Sequence, residues 1–183
     1  MTYEIDIAGM KRELKLCPIA GDKQIAAFIL YGDVEITMHA AKKLLEKAPE
    51  FDIILTAATK SIPLTYEMAR QANGCDYIVA LKDLKVYMTD PIEAEVRSIT
   101  TERQQKVIIT GDDAKRMKGK RVLIVDDVIS TGKSLTALQE LVEKSGGIVA
   151  GNFAVLAEGA AYDRPDITVL GKLPLFDKDG NQI

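Results

Sequence analysis

The sequence has little from which a metal site, a disulfide framework or a catalytic histidine could be built. Only two cysteines, Cys17 and Cys75, and one histidine, His39, occur among its 183 residues. Neither cysteine belongs to a CxxC or Cys/His pattern, which argues against a structural zinc site, and a lone histidine argues against a Ser-His-Asp triad. We expect His39 to lie at the surface or to pack on a helix. We expect the cysteines to be small buried side chains in a reducing compartment, the cytoplasm.

Long apolar runs, aromatic side chains and an excess of one charge are also scarce. Aromatic residues make up 5% of the chain, tryptophan is absent, and no apolar stretch approaches the roughly 20 residues of a membrane span. The N-terminal sequence MTYEIDIAGMKRELKL lacks the basic-then-apolar order of a secretory signal. A formal net charge of −3 argues against a broad nucleic-acid-binding face. We therefore expect neither a membrane nor a nucleic acid as partner.

The remaining composition is that of a globular chain, with 47% hydrophobic and 28% charged residues. A disordered chain would combine low hydrophobicity with high net charge. The length is typical of one domain. Apolar spacing predicts helices over 35–48, 63–71 and 135–144, and strands over 51–55, 77–81, 93–99, 106–109, 122–125, 148–157 and 167–170. This alternation predicts an α/β fold with a central, mostly parallel sheet flanked by helices. Residues 1–31 read as short strands outside that rhythm, so we expect a small subdomain there and a core over 32–172.

One segment, VLIVDDVISTGKS at 122–134, carries most of the chemical information. Its apolar half is typical of a strand covered on both faces, and Asp126 and Asp127 stand where we expect that strand to end. Open α/β sheets bind ligands at the carboxyl ends of their strands. The loop that follows, Ser130-Thr131-Gly132-Lys133-Ser134, opens into a helix and can direct backbone N–H groups and hydroxyls at one anion. The segment therefore predicts a phosphate site beside two carboxylates that can accept hydrogen bonds from vicinal sugar hydroxyls.

Two other interpretations of this segment are weaker. TGKS resembles the end of a Walker A loop, but that loop needs a glycine at position 127, where this chain has an aspartate. A simple capped helix start, with Ser130 or Thr131 as the cap, explains the hydroxyl residues. It does not explain two acids at a strand end, because their burial costs solvation free energy unless they have partners.

The same segment resembles the phosphoribosyl-pyrophosphate (PRPP) signature of type I phosphoribosyltransferases, and the resemblance extends over about 25–176. Lys60-Ser61-Ile62-Pro63-Leu64 is similar to the family's pyrophosphate loop, and Lys82 matches a basic residue near the pyrophosphate. The segment SITTERQQ at 98–105 stands where the family has its flexible catalytic loop. The ending VLAEGAAYDRPDITVLGKLPLF is similar to that of adenine phosphoribosyltransferase-like members.

This resemblance implies a type I phosphoribosyltransferase-like fold, in which residues 1–31 form a hood over the base, and it implies a role for each matching residue. The catalytic residues would be Asp126 and Asp127, which hold the ribose hydroxyls, with Thr101 and Glu102 in a lid. The 5′-phosphate would be held by Ser130, Thr131, Gly132, Lys133 and Ser134, and pyrophosphate by Thr59, Lys60, Ser61 and Lys82, a role that Lys85 could share. The base would be contacted by Val128, Ile129 and Glu158, although Glu158 could instead pair with Arg164.

The implied reaction is transfer of ribose 5-phosphate from PRPP to a purine base in purine salvage, in a homodimer, with Mg²⁺ bound mainly through PRPP or pyrophosphate. No residue is assigned as a direct metal ligand. Adenine is the favoured base, with xanthine or hypoxanthine/guanine as the alternative. Three departures from the family pattern, Ala58 and Ser61 in the pyrophosphate loop and Lys133 after the Thr-Gly pair, leave open a second reading. In that reading the chain is a non-catalytic regulator that binds PRPP or a nucleotide.

Overall fold

A computed structural model describes residues 1–96 and 105–183 and has an α/β architecture. The strands are β1 (Thr2–Ile7), β2 (Met10–Ile19), β3 (Lys23–Ala27), β4 (Ile53–Ala57), β5 (Asp76–Ala80), β6 (Ile92–Val96), β7 (Gln105–Ile109), β8 (Arg121–Ile129), β9 (Ile148–Glu158), β10 (Thr168–Leu173) and β11 (Leu175–Asp177). The helices are α1 (Val34–Leu45), α2 (Ile62–Gln71), α3 (Gly111–Met117) and α4 (Lys133–Lys144), with a short 3-10 turn at Gly159–Asp163.

The central sheet has five parallel strands in the order β10-β9-β8-β4-β5, which confirms the predicted fold class. Its middle strand, β8, is covered on both faces of the sheet. Successive side chains of a strand point to opposite faces, so β8 contributes to two separate core clusters. Leu123 and Val125 pack with α1 and α2 in one core cluster, whereas Val122 and Ile124 pack with α4 in the other. The antiparallel β6–β7 hairpin contributes to the second cluster. The central sheet is thereby held between two packed layers.

A separate antiparallel sheet has the order β1-β2-β3-β11, and we refer to it as the hood sheet or hood. Its fourth strand comes from the C-terminal part of the chain, so the predicted boundary at residue 31 leaves out one of its strands. Arg12 of β2 joins this sheet to the start of α1 through contacts of 2.6 Å and 3.0 Å with the carboxylate of Asp33 and 2.9 Å with Glu35. His39 of α1 lies with Nε2 2.9 Å from the carbonyl oxygen of Ala8, in the β1–β2 turn.

Two local predictions differ from the structure. Strand β8 does not end at Asp126 but continues beside β9 to Ile129, paired there with Ala157. Helix α3 was not predicted, although Thr110 and Asp113 carry its signal: the Thr110 hydroxyl accepts the backbone N–H of Asp113 and donates to its carboxylate. Thr110 is thus a side-chain N-cap, and Asp113 binds its hydroxyl rather than its backbone N–H, which a capping box would use. Of the strand expected over 93–99, the last three residues lie outside the described part.

In the described residues, none of the helices is both long and apolar enough to cross a membrane.

We predict that the hood sheet depends on β11. Phe176 is 2% exposed and packs edge to face on Tyr3 with ring centroids 5.0 Å apart. Phe176→Ala should lower the free energy of unfolding by about 3–5 kcal/mol, because it leaves a cavity in the core. Chemical denaturation measures this loss, with the exposed Lys178→Ala as control. A loss below about 1 kcal/mol would contradict a structural role for β11.

Candidate active site

The site lies between β4 and β8, where the strand order of the central sheet reverses. From β4 the chain builds outward to β5, and from β8 it builds outward on the other side to β9 and β10. Ladder pairing between β4 and β8 stops at Leu55 and Ile124, whereas β8 stays paired with β9 as far as Ile129. A crevice therefore opens between β4 and β8 at their carboxyl ends. Open α/β sheets bind ligands at such switch points.

Asp126 and Asp127 stand on β8 in the part of the strand that has lost β4 as neighbour. Asp127 is 2% exposed, and its Oδ2 lies 2.6 Å from Nζ of Lys60, which follows β4. This contact is an ion pair, and Oδ2 accepts no hydrogen bond from the described part of the chain. The Asp127 backbone N–H donates to Oδ1 of Asp126 over 2.8 Å. One cation from the neighbouring loop thus balances a buried carboxylate that retains unused hydrogen-bonding capacity.

Asp127 affects the ionisation of Asp126. Burial, together with the negative charge of Asp127, raises the pKa of Asp126 to about 7. The positive charge of Lys60 acts in the opposite direction but has a smaller effect. Carboxyl groups with raised pKa values in a crevice are typical of functional sites, because a folded protein gains no stability from burying them.

The loop predicted to bind phosphate leads from β8 into α4. Gly132 is the N-cap residue with φ of +74°, a left-handed conformation that favours glycine, and no side chain caps the helix. The capped-helix interpretation of Ser130 and Thr131 is therefore wrong. The first N–H groups of α4 face a concavity of about 50 Å³ that is lined by Asp126 and residues 128–135. Residues 130–134 and Asp126 thus line one concavity large enough for an anion.

The predicted pyrophosphate residues divide into two groups. Thr59 and Lys60 are exposed after β4, and Lys82 is exposed after β5, at the same end of the sheet. Ser61 is 1% exposed, and its hydroxyl donates to the carbonyl oxygen of Ala57 over 3.1 Å and contacts the Thr56 hydroxyl over 2.7 Å. Because this hydroxyl is used inside the fold, any contact of Ser61 with an anion has to come from its backbone. Thr101 and Glu102 lie outside the described residues.

A second cavity, of about 330 Å³, lies between the hood and the ends of the central strands. Its walls are formed by Ile25 to Ile29 of the hood, Lys60, Val128, Ser130, Glu158 and Leu173. Val128 and Glu158, two of the three residues predicted to contact a base, thus line the same cavity. Arg164 pairs with Asp166 rather than with Glu158, which settles that alternative. Burial raises the pKa of Glu158.

Ile129 does not reach this cavity. It is 3% exposed and packs with Leu135 and Ala157 in the core cluster on the α4 face. Neighbouring residues of a strand point to opposite faces, which agrees with Val128 lining this cavity while Ile129 packs in the core. The structure thus gives no support to the prediction that Ile129 contacts the base. Sequence reasoning missed Phe28, which lines the cavity from the hood; the apolar run from Ile25 to Tyr31 was the available signal.

Comparisons with known proteins agree with this geometry. A family model described as the phosphoribosyl transferase domain matches residues 33–174. The purine biosynthesis transcriptional repressor PurR of Bacillus subtilis is 31% identical over 114 residues, which cover 62% of this chain and 39% of that protein. The xanthine phosphoribosyltransferase of Clostridium tetani is 28% identical over 122 residues, 65% of this chain and 63% of that protein. The chain thus spans less than two thirds of the length of these curated relatives.

Among solved structures, the adenine phosphoribosyltransferase of Thermoanaerobacter pseudethanolicus superposes with a TM-score of 0.70. It is 22% identical, and the match covers 87% of this chain and 95% of that one. This likeness concerns the fold. Together with a family model that spans most of the chain, including the crevice, the two acids and the phosphate loop, it means that this chain belongs to the phosphoribosyl transferase domain family.

Proposed function

We propose that this protein is a purine phosphoribosyltransferase, with adenine as its favoured base, that transfers ribose 5-phosphate from PRPP and releases pyrophosphate. The observation that carries the proposal is the pair of acids at the switch point, directly beside an uncapped helix start. A sugar phosphate combines the two groups that such a site can bind, an anion and vicinal hydroxyls.

In this reaction a ring nitrogen of the base bonds to C1′ of the ribose while the bond from C1′ to the pyrophosphate oxygen breaks. The base gives up a proton, and pyrophosphate leaves with the electron pair of the broken bond. Positive charge builds on the ribose ring in between. Asp126 and Asp127 accept hydrogen bonds from the ribose hydroxyls and offset that charge, so their contribution is positioning and electrostatic stabilisation.

The two ends of the substrate are held by different loops. Residues 130–134 hold the 5′-phosphate at the start of α4, and Lys60, with Thr59 and Lys82, holds the pyrophosphate. Lys60 contacts Asp127 in the free protein, so it can move from the carboxylate to the pyrophosphate when a ribose hydroxyl takes its place. Thr101 and Glu102 are proposed to belong to a lid that keeps water from the activated sugar.

Magnesium fits this site only as part of the substrate. Among the described residues, no three His, Cys, Asp or Glu side chains are grouped to hold a metal ion. The ion would take most of its ligands from phosphate oxygens and water, as Mg²⁺ commonly does, and would neutralise the charge of the leaving pyrophosphate.

The base is proposed to occupy the cavity under the hood. Its volume of about 330 Å³ is within the range of roughly 300–1,000 Å³ found for small-molecule sites. Val128 offers an apolar contact, and Glu158 offers an acceptor to an exocyclic amino group, which adenine carries. Guanine also carries one, so hypoxanthine/guanine, like xanthine, remains the alternative substrate. The similarity to a protein named as an adenine phosphoribosyltransferase supports adenine.

A second function, a regulator that binds PRPP without turnover, is favoured by one comparison. The Bacillus subtilis relative with 31% identity is a transcriptional repressor, and this chain spans 39% of it. Pyrophosphate release distinguishes the two functions directly.

We also propose a cytoplasmic homodimer. Cys17 and Cys75 are free thiols, which favours a reducing compartment. Leu84, Val86 and Tyr87 are exposed on the loop after β5, and exposed apolar groups of this kind are often covered by a second subunit.

The direct test supplies PRPP and Mg²⁺ with adenine, hypoxanthine, guanine, xanthine, uracil or orotate and measures nucleotide and pyrophosphate. We expect turnover with adenine and at least about tenfold lower kcat/KM with the other bases. Turnover with another purine alone would replace adenine. No turnover with any base, while PRPP still raises the Tm, would favour the regulator.

Asp127→Asn should lower kcat/KM by at least about hundredfold, because it removes a charge aimed at the developing positive ribose. The change keeps the size of the side chain, so the Tm of the free protein should stay within about 3 °C. Steady-state kinetics and thermal unfolding measure the two effects, with the exposed Asp163→Asn as control. A fall in Tm without a loss of PRPP binding or turnover would assign Asp127 a structural role only.

Asp126→Asn should stabilise the protein at high pH. The raised pKa means that the folded state binds more protons than the unfolded state between about pH 4 and 7, so Asp126 costs stability as the pH rises through this range. Asparagine mimics the neutral form and can still accept the Asp127 N–H. Denaturation at pH 8 should therefore show a gain of about 1–3 kcal/mol that shrinks towards pH 5. A gain that does not change with pH would contradict the ionisation of a buried Asp126.

A further inference from the structure

Arg164 contacts the phosphate loop at the one position where the loop has no side chain. A Cβ placed on Gly132 would lie 2.0 Å from Nη1 of Arg164 and 3.2 Å from its Cζ. The guanidinium therefore fills the space in which an alanine side chain would stand. Arg164 follows the 3-10 turn after β9, so it reaches the loop from the neighbouring strand of the sheet.

The orientation of the Arg164 side chain is fixed by Asp166. Nε and Nη2 donate to the two carboxylate oxygens of Asp166 over 2.9 Å and 2.6 Å. The buried Asn152 of β9 donates to the carbonyl oxygen of Asp166 over 2.9 Å and accepts from Gln139 of α4 over 3.2 Å. Such a two-pronged pair holds a guanidinium in one plane. A chain of contacts thus runs from α4 through β9 to the arginine and returns to the start of α4.

The two edges of the guanidinium have different surroundings. Asp166 takes the edge formed by Nε and Nη2, whereas Nη1 lies against Gly132 and has no hydrogen-bond acceptor among the described residues. The edge of the guanidinium that contacts the loop at Gly132 is therefore the edge that has no counter-ion. The N-terminus of α4 adds partial positive charge at the same place, with no side chain to cap it.

We propose that Arg164 is a positioning residue for the 5′-phosphate: it supports the loop at Gly132 and adds its charge to the N–H groups that hold the anion. This inference rests on the proposed function, because it assigns a residue to the 5′-phosphate subsite. It also explains a local requirement of this chain. Position 132 needs glycine for its φ of +74° and also for the space that the guanidinium occupies.

The test measures binding of ribose 5-phosphate, and separately of pyrophosphate with Mg²⁺, by titration calorimetry. Arg164→Gln should weaken ribose 5-phosphate about tenfold, the loss expected when one positive charge near a partly solvated anion is removed. Pyrophosphate binding should change less than about twofold, because its proposed loop follows β4. Arg164→Lys keeps the charge but not the two-pronged pair with Asp166, so it should restore only part of the affinity.

Arg116→Gln is the matched control for net charge. Arg116 pairs with Asp76, the first residue of β5, at the opposite end of the sheet from the site, and with Asp113. It should leave both affinities unchanged. A steady-state experiment adds a second readout: Arg164→Gln should raise the KM for PRPP and leave kcat within about twofold, a split that a merely structural defect would not produce.

The outcomes separate this inference from the proposed function. Ribose 5-phosphate binding by Arg164→Gln at wild-type strength would overturn the inference and leave the proposed function standing. Equal losses for ribose 5-phosphate and pyrophosphate would overturn it as well, because the effect would not be local to the loop. Failure of the wild-type protein to bind PRPP, ribose 5-phosphate or pyrophosphate would overturn the proposed function and this inference with it.

Discussion

Beyond Ile124, β8 keeps β9 as its neighbour and loses β4, and the features of the site follow from that separation. A strand with one open edge exposes backbone and side chains that a fully paired strand would bury. Immediately after the last ladder pair, the Thr56 hydroxyl of β4 donates a hydrogen bond to the carbonyl oxygen of Val125 over 2.7 Å, so β4 and β8 are still linked there. The next two residues, Asp126 and Asp127, lie on the part of β8 that is paired with β9 on one side and is no longer paired with β4 on the other. The crevice is thus a consequence of strand order, and the acids are placed in it by their position on β8.

Placing two adjacent carboxylates in the crevice, Asp127 buried and Asp126 half-buried, costs stability, and the structure offsets only part of that cost. Lys60 balances Asp127, while burial and the charge of Asp127 raise the pKa of Asp126. A protein optimised for stability alone would have apolar residues at both positions. Retention of two acids, one cation and an uncapped helix start within one crevice is therefore best explained by a ligand that supplies hydroxyls to the acids and an anion to the loop.

The hood sheet contains strands from both ends of the chain, and it forms one wall of the proposed base cavity. Its first three strands come from the N-terminal segment, and β11 adds the fourth, next to β3. Residues 25–29 of the hood then face Val128 and Glu158 across the proposed base cavity. Arg12 and His39 join the hood to α1, so the height of that cavity is set by contacts outside it. If the proposed base cavity is used as such, its shape depends on the docking of the two sheets as well as on the residues that line it.

The class of the fold could be predicted from local apolar spacing, and the acid pair and the loop proposed to bind phosphate from residues that are contiguous in 122–134. Lys60 was identified through the resemblance of its loop to the family's pyrophosphate loop. The inward hydroxyl of Ser61, the packing of Ile129 in the core, and the positions of Glu158 at the cavity and of Arg164 at Gly132 could not be predicted in this way. Each of these depends on which face of a strand or helix meets which neighbour. That choice is made by contacts between segments far apart in the chain, and no local pattern records it.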